Sequence, residues 1–345
     1  NAVEAYLNSC GYEVKNVDLM TYSKKWFKHI YADKYIDLIN NHPNLWKFLF
    51  ELTDKPVSKP LYKTRRWLEY KLHKKFFQMI EDFKPDHVIS THFMPPEILL
   101  RFKEKKNLNF DISVVVTDFD VHYLWLHNNI NQYFVGGELA KNKLIKFGID
   151  EKNITISGIP IMPQFFNSFD KQKLLEKWDL DSSKKTLLLM AGGAGIGSLD
   201  SIANEILSSI NDMQIIALPG KNKELFDKLK KVEEKFGKSL KTIGFTNEVH
   251  ELMFLSDLVV TKPGGLSTSE CIALKKPMLL INPIPGQEEF NAQNIEERKL
   301  GKLSNNIIDD IKYMLNNIED FNVQYKKELT HNTQDIILSH FKEKS

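Results

Sequence analysis

Lys262-Pro263-Gly264-Gly265-Leu266-Ser267-Thr268-Ser269-Glu270 is the run of this 345-residue chain best suited to hold an anion beside a sugar. It follows a strand-like stretch, Asp257-Leu258-Val259-Val260-Thr261, and opens an apolar helical stretch ending near Leu274. A glycine loop between strand and helix aims free backbone N–H groups and the positive end of a helix dipole at one spot. The expected guest is a diphosphate. Glu270, one turn into the helix, could accept two hydrogen bonds from ribose hydroxyls. A second run, Pro285-Gly286-Gln287-Glu288-Glu289-Phe290-Asn291-Ala292, offers Gln287, a neutral donor and acceptor suited to sugar hydroxyls. Phosphate, ribose and sugar together describe a nucleotide sugar. Two plainer readings stay open. Ser267-x-x-Glu270 is also a capping box, and glycines after a strand often make only a tight turn.

Other constellations are weaker. Gly193-Ala194-Gly195-Ile196-Gly197-Ser198 approaches a dinucleotide fingerprint but lacks the third glycine, and the next strand ends in Pro219-Gly220-Lys221 rather than an acid for ribose. Asp118-Phe119-Asp120 matches the Asp-x-Asp pattern that holds Mg²⁺ or Mn²⁺ in many metal-dependent glycosyltransferases. His87, His92, His122 and His127 have no i, i+4 pair and no cysteine beside them. His87 and His127 read as surface histidines. His92 and His122 each follow the carboxyl end of a strand, where open sheets bind ligands.

The elements that would place these residues alternate between strand and helix. Residues 1–9 read as a helix stopped by Gly11, followed by a strand-like Val14–Met20. Strands are expected at 86–91, 112–117, 133–135 and 154–156, with a helix at 138–147 closed by Gly148. Gly158 to Phe165 reads as a linker. A second set follows at 187–190, 215–218, 241–243, 258–260 and 278–281. The pattern is α/β, two doubly wound Rossmann-like domains. The first domain spans 1–160, the second 161–325, and a helical stretch within 326–345 is expected to pack back on the first.

Composition narrows the class further. Cys10 and Cys271 lie far apart without ligand spacing, which points to a reducing compartment. No apolar run reaches the roughly 18 residues that cross a bilayer. Residues 22–75 carry 13 Lys or Arg against 5 Asp or Glu, a surplus of +8 in a chain whose net charge is +2. Trp26, Trp46 and Trp67 fall there with Phe27, Phe48 and Phe50, and Phe76 and Phe77 follow. Basic residues among aromatics suit an anionic membrane surface, with Lys24, Lys25, Trp26, Lys28 and Trp67 as candidates. The competing reading is a helix pair with aromatic core and solvated lysines. No nucleic-acid motif accompanies the patch.

The paired glycine-loop and Pro-Gly-Gln-Glu runs resemble glycosyltransferase family 28, and more narrowly its diacylglycerol glycosyltransferases. Val116-Thr117-Asp118-Phe119 with His122 and Trp125, Gly158-Ile159-Pro160-Ile161-Met162-Pro163-Gln164-Phe165, and Met190-Ala191-Gly192-Gly193 support the narrower match. The resemblance covers most of residues 85–300. It implies the GT-B architecture, two Rossmann-like domains facing across a cleft. It also implies an inverting transferase that moves glucose or galactose from UDP-glucose or UDP-galactose to diacylglycerol, on the cytoplasmic face of a membrane.

Under that resemblance the N–H groups of Gly265, Leu266 and Ser267 stabilise the departing UDP, with no metal or cofactor. Gly192 and Gly193 help hold the diphosphate. The backbone at Phe245 and Thr246 holds uracil, Glu270 the ribose, and Gln287 and Glu288 the hexose. Asp118 orients neighbours. The family's catalytic base is a His in a Gly-rich loop that precedes the first helix. The chain starts at Asn1, inside the expected first unit, so that loop is expected to lie outside this sequence. Within it the candidates are His92, His122 and Asp118. The alternatives are an undecaprenyl-linked muramyl peptide as acceptor of N-acetylglucosamine, or a non-catalytic nucleotide-sugar or lipid-binding protein.

Overall fold

Runs such as Ile112-Ser113-Val114-Val115-Val116 are apolar on both pleat faces, so they suit parallel strands covered by helices on either side. The computed structural model describes residues 1–23, 38, 42–55, 73–191, 198–327 and 333–342. The chain divides into two compact units, the first comprising 1–160, 284–287 and 331–345, the second 161–283 and 288–330.

The first unit holds a four-stranded parallel sheet in the order β1-β2-β3-β4, with β1 His87–Ser90, β2 Asp111–Val115, β3 Gln132–Val135 and β4 Ile154–Ile156. Its helices are α1 Ala2–Ser9, α2 Pro43–Thr53, α3 Lys74–Phe83, α4 Met94–Lys106 and α5 Glu138–Lys146. Alternation along the strands sorts the core. Val114, Tyr133 and Val135 pack with Phe76 and Phe77 of α3, Leu99 and Phe102 of α4, and Leu144 of α5. Val115 and Phe134 turn the other way, onto Val3, Tyr6 and Leu7 of α1 and Ile337, Leu338 and Phe341 of the terminal helix. Each such apolar side chain contributes about 1.5–3 kcal/mol when fully buried.

The second unit holds six parallel strands in the order β10-β9-β8-β5-β6-β7. These are β5 Lys185–Met190, β6 Met213–Leu218, β7 Leu240–Thr242, β8 Leu258–Thr261, β9 Met278–Leu280 and β10 Gly301–Leu303. The helices continue as α6 Lys171–Lys177, α7 Leu199–Ser209, α8 Lys223–Phe236, α9 Val249–Leu255, α10 Gly265–Ala273, α11 Gln287–Glu297, α12 Ile307–Asn316, α13 Ile318–Lys327 and, in the first unit, α14 Thr333–Lys342. Leu187, Leu189, Ile215, Val260 and Leu279 form one core with Ala203 and Ile206 of α7, Leu229 of α8 and Ile311 of α12.

Three expectations need correction. Val14–Met20 forms no strand; Leu19–Tyr22 is a short 3-10 turn, because Asp18 accepts a hydrogen bond from the Met20 N–H at 2.8 Å and closes the chain locally. Strand β10 was not expected. It is short and carries Lys302, and its Gly301 is required by contact: a Cβ there would lie 2.4 Å from the Met278 carbonyl oxygen. His127 is buried, not superficial, pairing its Nε2 with the Phe93 carbonyl at 2.9 Å, and His87 is half-buried with Nε2 2.8 Å from Ser113 Oγ.

Candidate functional site

In the second unit the chain order reverses between β5 and β8, which pair directly. Ligands of open α/β sheets bind beyond the carboxyl ends of strands at such a switch. β8 ends at Thr261, and Lys262-Pro263-Gly264 leads straight into α10.

Gly264 is the N-cap, in extended conformation, and no side chain caps the helix. Ser267 is therefore the third helical residue and Glu270 the sixth, which removes the capping-box reading. Thr268 is the first residue whose N–H returns to the loop, to the Gly264 carbonyl at 3.0 Å. The preceding N–H groups of Gly265, Leu266 and Ser267, the donors a helix's first turn leaves over, meet no acceptor among the described residues. Thr268 Oγ1 bonds the carbonyls of Gly264 and Gly265 at 2.8 and 3.1 Å and holds the turn in place. The backbone at Gly264 (φ −70°) would admit any residue, and a Cβ would meet nothing closer than Glu288 Oε1 at 3.7 Å. The fold does not demand glycine here; a bare backbone leaves that space for a ligand.

Glu270 is half-buried, and burial pushes its carboxyl from 4.5 up to about 7. Its carboxylate meets no hydrogen-bond donor among the described residues. Such a group costs stability unless something absent from the apo chain pairs with it. Burial likewise holds the half-buried Lys262 ammonium below its ordinary value, with Glu288 pulling the other way. Phe245 is 62% exposed, with Lys221 Nζ 4.9 Å from its ring centre, and Thr246 Oγ1 accepts from the Glu248 N–H. Gly192 and Gly193 lie outside the described residues, as do Lys24, Lys25, Trp26, Lys28 and Trp67.

In the first unit, Gln287 Nε2 donates to Asp118 Oδ2 at 2.7 Å. Asp120 is ion-paired with Lys143 at 2.9 Å. His122 accepts the Leu124 N–H at Nδ1 (3.1 Å), which leaves its Nε2–H to donate to the Phe50 carbonyl (3.0 Å). Both its nitrogens are engaged. His92 also turns Nδ1 to a backbone N–H, that of Met94 at 3.2 Å, and stacks on Phe93 with ring centres 4.2 Å apart. It keeps an open edge, yet the packing around it holds its imidazole below the ordinary value. Its neutral form therefore carries its proton on Nε2.

Sequence reasoning missed that Phe50 and Trp46 reach the Pro285-Gly286 turn. Trp46 Nε1 donates to the Pro285 carbonyl at 3.1 Å, and a Cβ on Gly286 (φ +85°) would lie 2.7 Å from the Phe50 ring. The Pro-Gly pair is the only local signal of this close approach.

Residues 1–161 match the monogalactosyldiacylglycerol (MGDG) synthase family, and residues 186–337 match the glycosyltransferase family 28 C-terminal domain. The chain belongs to glycosyltransferase family 28. It is 31% identical over 294 residues to the processive diacylglycerol beta-glucosyltransferase of Bacillus licheniformis, covering 83% of this chain and 76% of that protein. It is 33% identical over 310 residues to the same-named protein of Staphylococcus epidermidis, covering 89% of this chain and 75% of the other.

Among solved structures, the S. aureus MnaA–UDP complex superposes with a TM-score of 0.60 at 15% identity, over 78% of this chain and 77% of that one. UDP-GlcNAc 2-epimerase from Neisseria meningitidis, bound to UDP-GlcNAc, gives 0.60 at 15% over 78% and 80%. At this identity they speak to the fold alone, which is GT-B: two Rossmann-like units, each on a parallel sheet.

Proposed function

We propose that this family 28 member transfers a hexose from UDP-glucose or UDP-galactose to diacylglycerol, with inversion, making a membrane glycolipid. The observation that carries the donor half is Glu270: a half-buried carboxyl pushed up to about 7 that meets no donor among the described residues, on the helix whose first turn offers three N–H groups with no acceptor among them. Ribose hydroxyls would donate to it. The diphosphate would take the N–H groups of Gly265, Leu266 and Ser267, with Lys262 as a nearby positive charge and Gly192 and Gly193 beside it. Phe245 and Thr246 would receive the uracil.

In the reaction the acceptor hydroxyl oxygen bonds to the anomeric carbon while the carbon–oxygen bond to the diphosphate breaks. UDP leaves with that electron pair, and the hydroxyl proton passes to a base. Donors fixed at the diphosphate stabilise the charge that develops on it. His92 and His122 both spend Nδ1 on a backbone N–H, and Asp118 holds Gln287. We assign all three to positioning, with His92 Nε2–H free to donate to a substrate hydroxyl. Gln287 and Glu288 would hold the hexose.

The acceptor half rests on the family and on the named activity of the relatives. No helix among the described residues is long and apolar enough to cross a membrane. The +8 surplus of residues 22–75 would hold the protein to an anionic cytoplasmic leaflet, with Lys24, Lys25, Trp26, Lys28 and Trp67 at the surface.

Calorimetry with UDP tests the donor site. Glu270→Ala should weaken binding by roughly 1.5–3 kcal/mol, the range for hydrogen bonds to a charged group. A folded variant with unchanged affinity would remove Glu270 from the site.

A further inference from the structure

Glu288 is a carboxylate set where an anion is expected to bind. It is half-buried on α11, and its Oε1 lies 3.7 Å from the point that a Cβ on Gly264 would occupy. Gly264 is the N-cap of α10, just before the three N–H groups assigned to the diphosphate. The charge of Glu288 also reaches Lys262, the half-buried cation that follows β8, and favours its protonated form against the effect of burial. All of these groups belong to the second unit. A helix N-terminus and a lysine attract anions. A carboxylate beside them works against that attraction, and a site shaped only to hold a diphosphate tightly would leave it out.

The nucleotide changes at one end during transfer. In UDP-hexose each phosphate carries a single negative charge, because the outer one is esterified to the sugar. When the carbon–oxygen bond breaks, its electron pair stays on UDP, the acceptor oxygen takes the anomeric carbon and the acceptor proton goes to a base. During that step the positive character of the sugar offsets the charge gained by the phosphate. Once the glycosylated product has left, the outer phosphate holds a second negative charge at neutral pH, since its second ionisation falls at about pH 6. A neighbouring charge at about 4–6 Å moves such an equilibrium by about tenfold or more, and a like charge disfavours the ionised form.

We propose that the Glu288 carboxylate discriminates against the product UDP: it tolerates the esterified diphosphate of UDP-hexose and repels the extra charge on the outer phosphate of UDP, so that UDP leaves and fresh donor takes its place. The inference rests on the UDP-hexose reading of this site. Lys262 is the counterweight, drawing in the diphosphate of either form. Glu288 then has a role that neutral Gln287 beside it in the chain cannot supply. Both can bond hexose hydroxyls, but only Glu288 reads charge.

The test is calorimetric titration of wild type, Glu288→Gln and Lys262→Gln with UDP, UDP-glucose and UDP-galactose, at about pH 8 and about pH 5, on either side of the phosphate ionisation. Glutamine keeps the size and hydrogen-bonding capacity of Glu288 and removes its charge. At the higher pH Glu288→Gln should bind UDP about tenfold more tightly than wild type does, while its affinity for UDP-hexose changes by less than about threefold. Lys262→Gln should move the ratio of the two affinities the other way. At the lower pH, where the outer phosphate of UDP takes up a proton, wild type and Glu288→Gln should show nearly the same ratio. Glu270 and Lys262, the other titrating groups assigned to the site, are present in both of these proteins, so comparing them at one pH removes their contribution.

Equal tightening of UDP and UDP-hexose by Glu288→Gln would overturn the discrimination and leave only a general repulsion. Weakened UDP-hexose binding with UDP unchanged would make Glu288 a sugar contact alone and overturn it as well. Binding of neither ligand by folded wild type would instead overturn the donor-site reading, and the inference with it.

Discussion

Gln287 and Asp118 are 169 residues apart in sequence and joined by a hydrogen bond of 2.7 Å, the side-chain amide donating to the carboxylate. Asp118 is buried, at 7% exposure. A buried acceptor of this kind fixes the donor's rotamer and leaves the Gln287 amide oxygen to face a ligand. Asp118→Ala should free that side chain. The expected result is a loss of about twelvefold or more in UDP-hexose affinity, from the lower end of the roughly 1.5–3 kcal/mol of a charged hydrogen bond, with UDP affinity unchanged. Equal weakening of both ligands in dialysis would mean that Asp118 supports the fold rather than the sugar.

Glu270 gives a prediction with a sign. Its carboxyl sits near 7 in the folded chain against 4.5 for a free side chain, so the folded state holds the proton more tightly. The contribution of Glu270 to stability should then be highest below about pH 4.5, fall as pH rises to about 7, and stay level above that. Glu270→Gln removes the ionisation. It should match wild type at pH 4 and exceed it at pH 8 by about 2–3 kcal/mol, while binding UDP less well. Thermal melts at the two pH values check this. A variant no more stable than wild type at pH 8 would mean that the carboxylate has a partner in the free protein.

Turnover should be independent of divalent metal. The diphosphate has the N–H groups of the α10 first turn and Lys262 to meet its charge, and Asp118 and Asp120 are already bonded to Gln287 and Lys143. Excess EDTA should leave the rate nearly intact. Loss of activity restored by Mg²⁺ or Mn²⁺ would return the two aspartates to a metal-binding role.

Much of the fold was legible because it is written locally. Runs such as Leu258-Val259-Val260 and Ile215-Ile216-Ala217 are apolar on both faces, and Gly11 and Gly148 take positive φ at helix ends. The glycine loop was legible for the same reason: a strand, two glycines and a helix are consecutive. Val14–Met20 misled because alternation alone cannot supply a neighbouring strand, and Asp18 offered the backbone a closer partner. Ser267 and Glu270 matched a capping box by spacing, but the helix starts earlier, at Gly264–Gly265.

What could not be read were pairings across long sequence gaps. Nothing local joins Gln287 to Asp118, or Phe50 to Gly286 and His122. The aromatics after residue 45 illustrate the same limit. Phe76 and Phe77 went to the core at 5 and 4% exposure, while Phe48 stayed out at 60%, although all three sit among lysines. Burial there depends on which helix face meets the sheet.

The most direct measurement is transfer itself. Full-length protein is incubated with radiolabelled UDP-glucose and, separately, UDP-galactose, in the presence of diacylglycerol dispersed in anionic vesicles. The account predicts label in a lipid extract as a β-linked hexosyl-diacylglycerol, with one UDP released per hexose transferred, and loss of both with Glu270→Ala. UDP release without labelled lipid, or binding of neither nucleotide sugar, would contradict it.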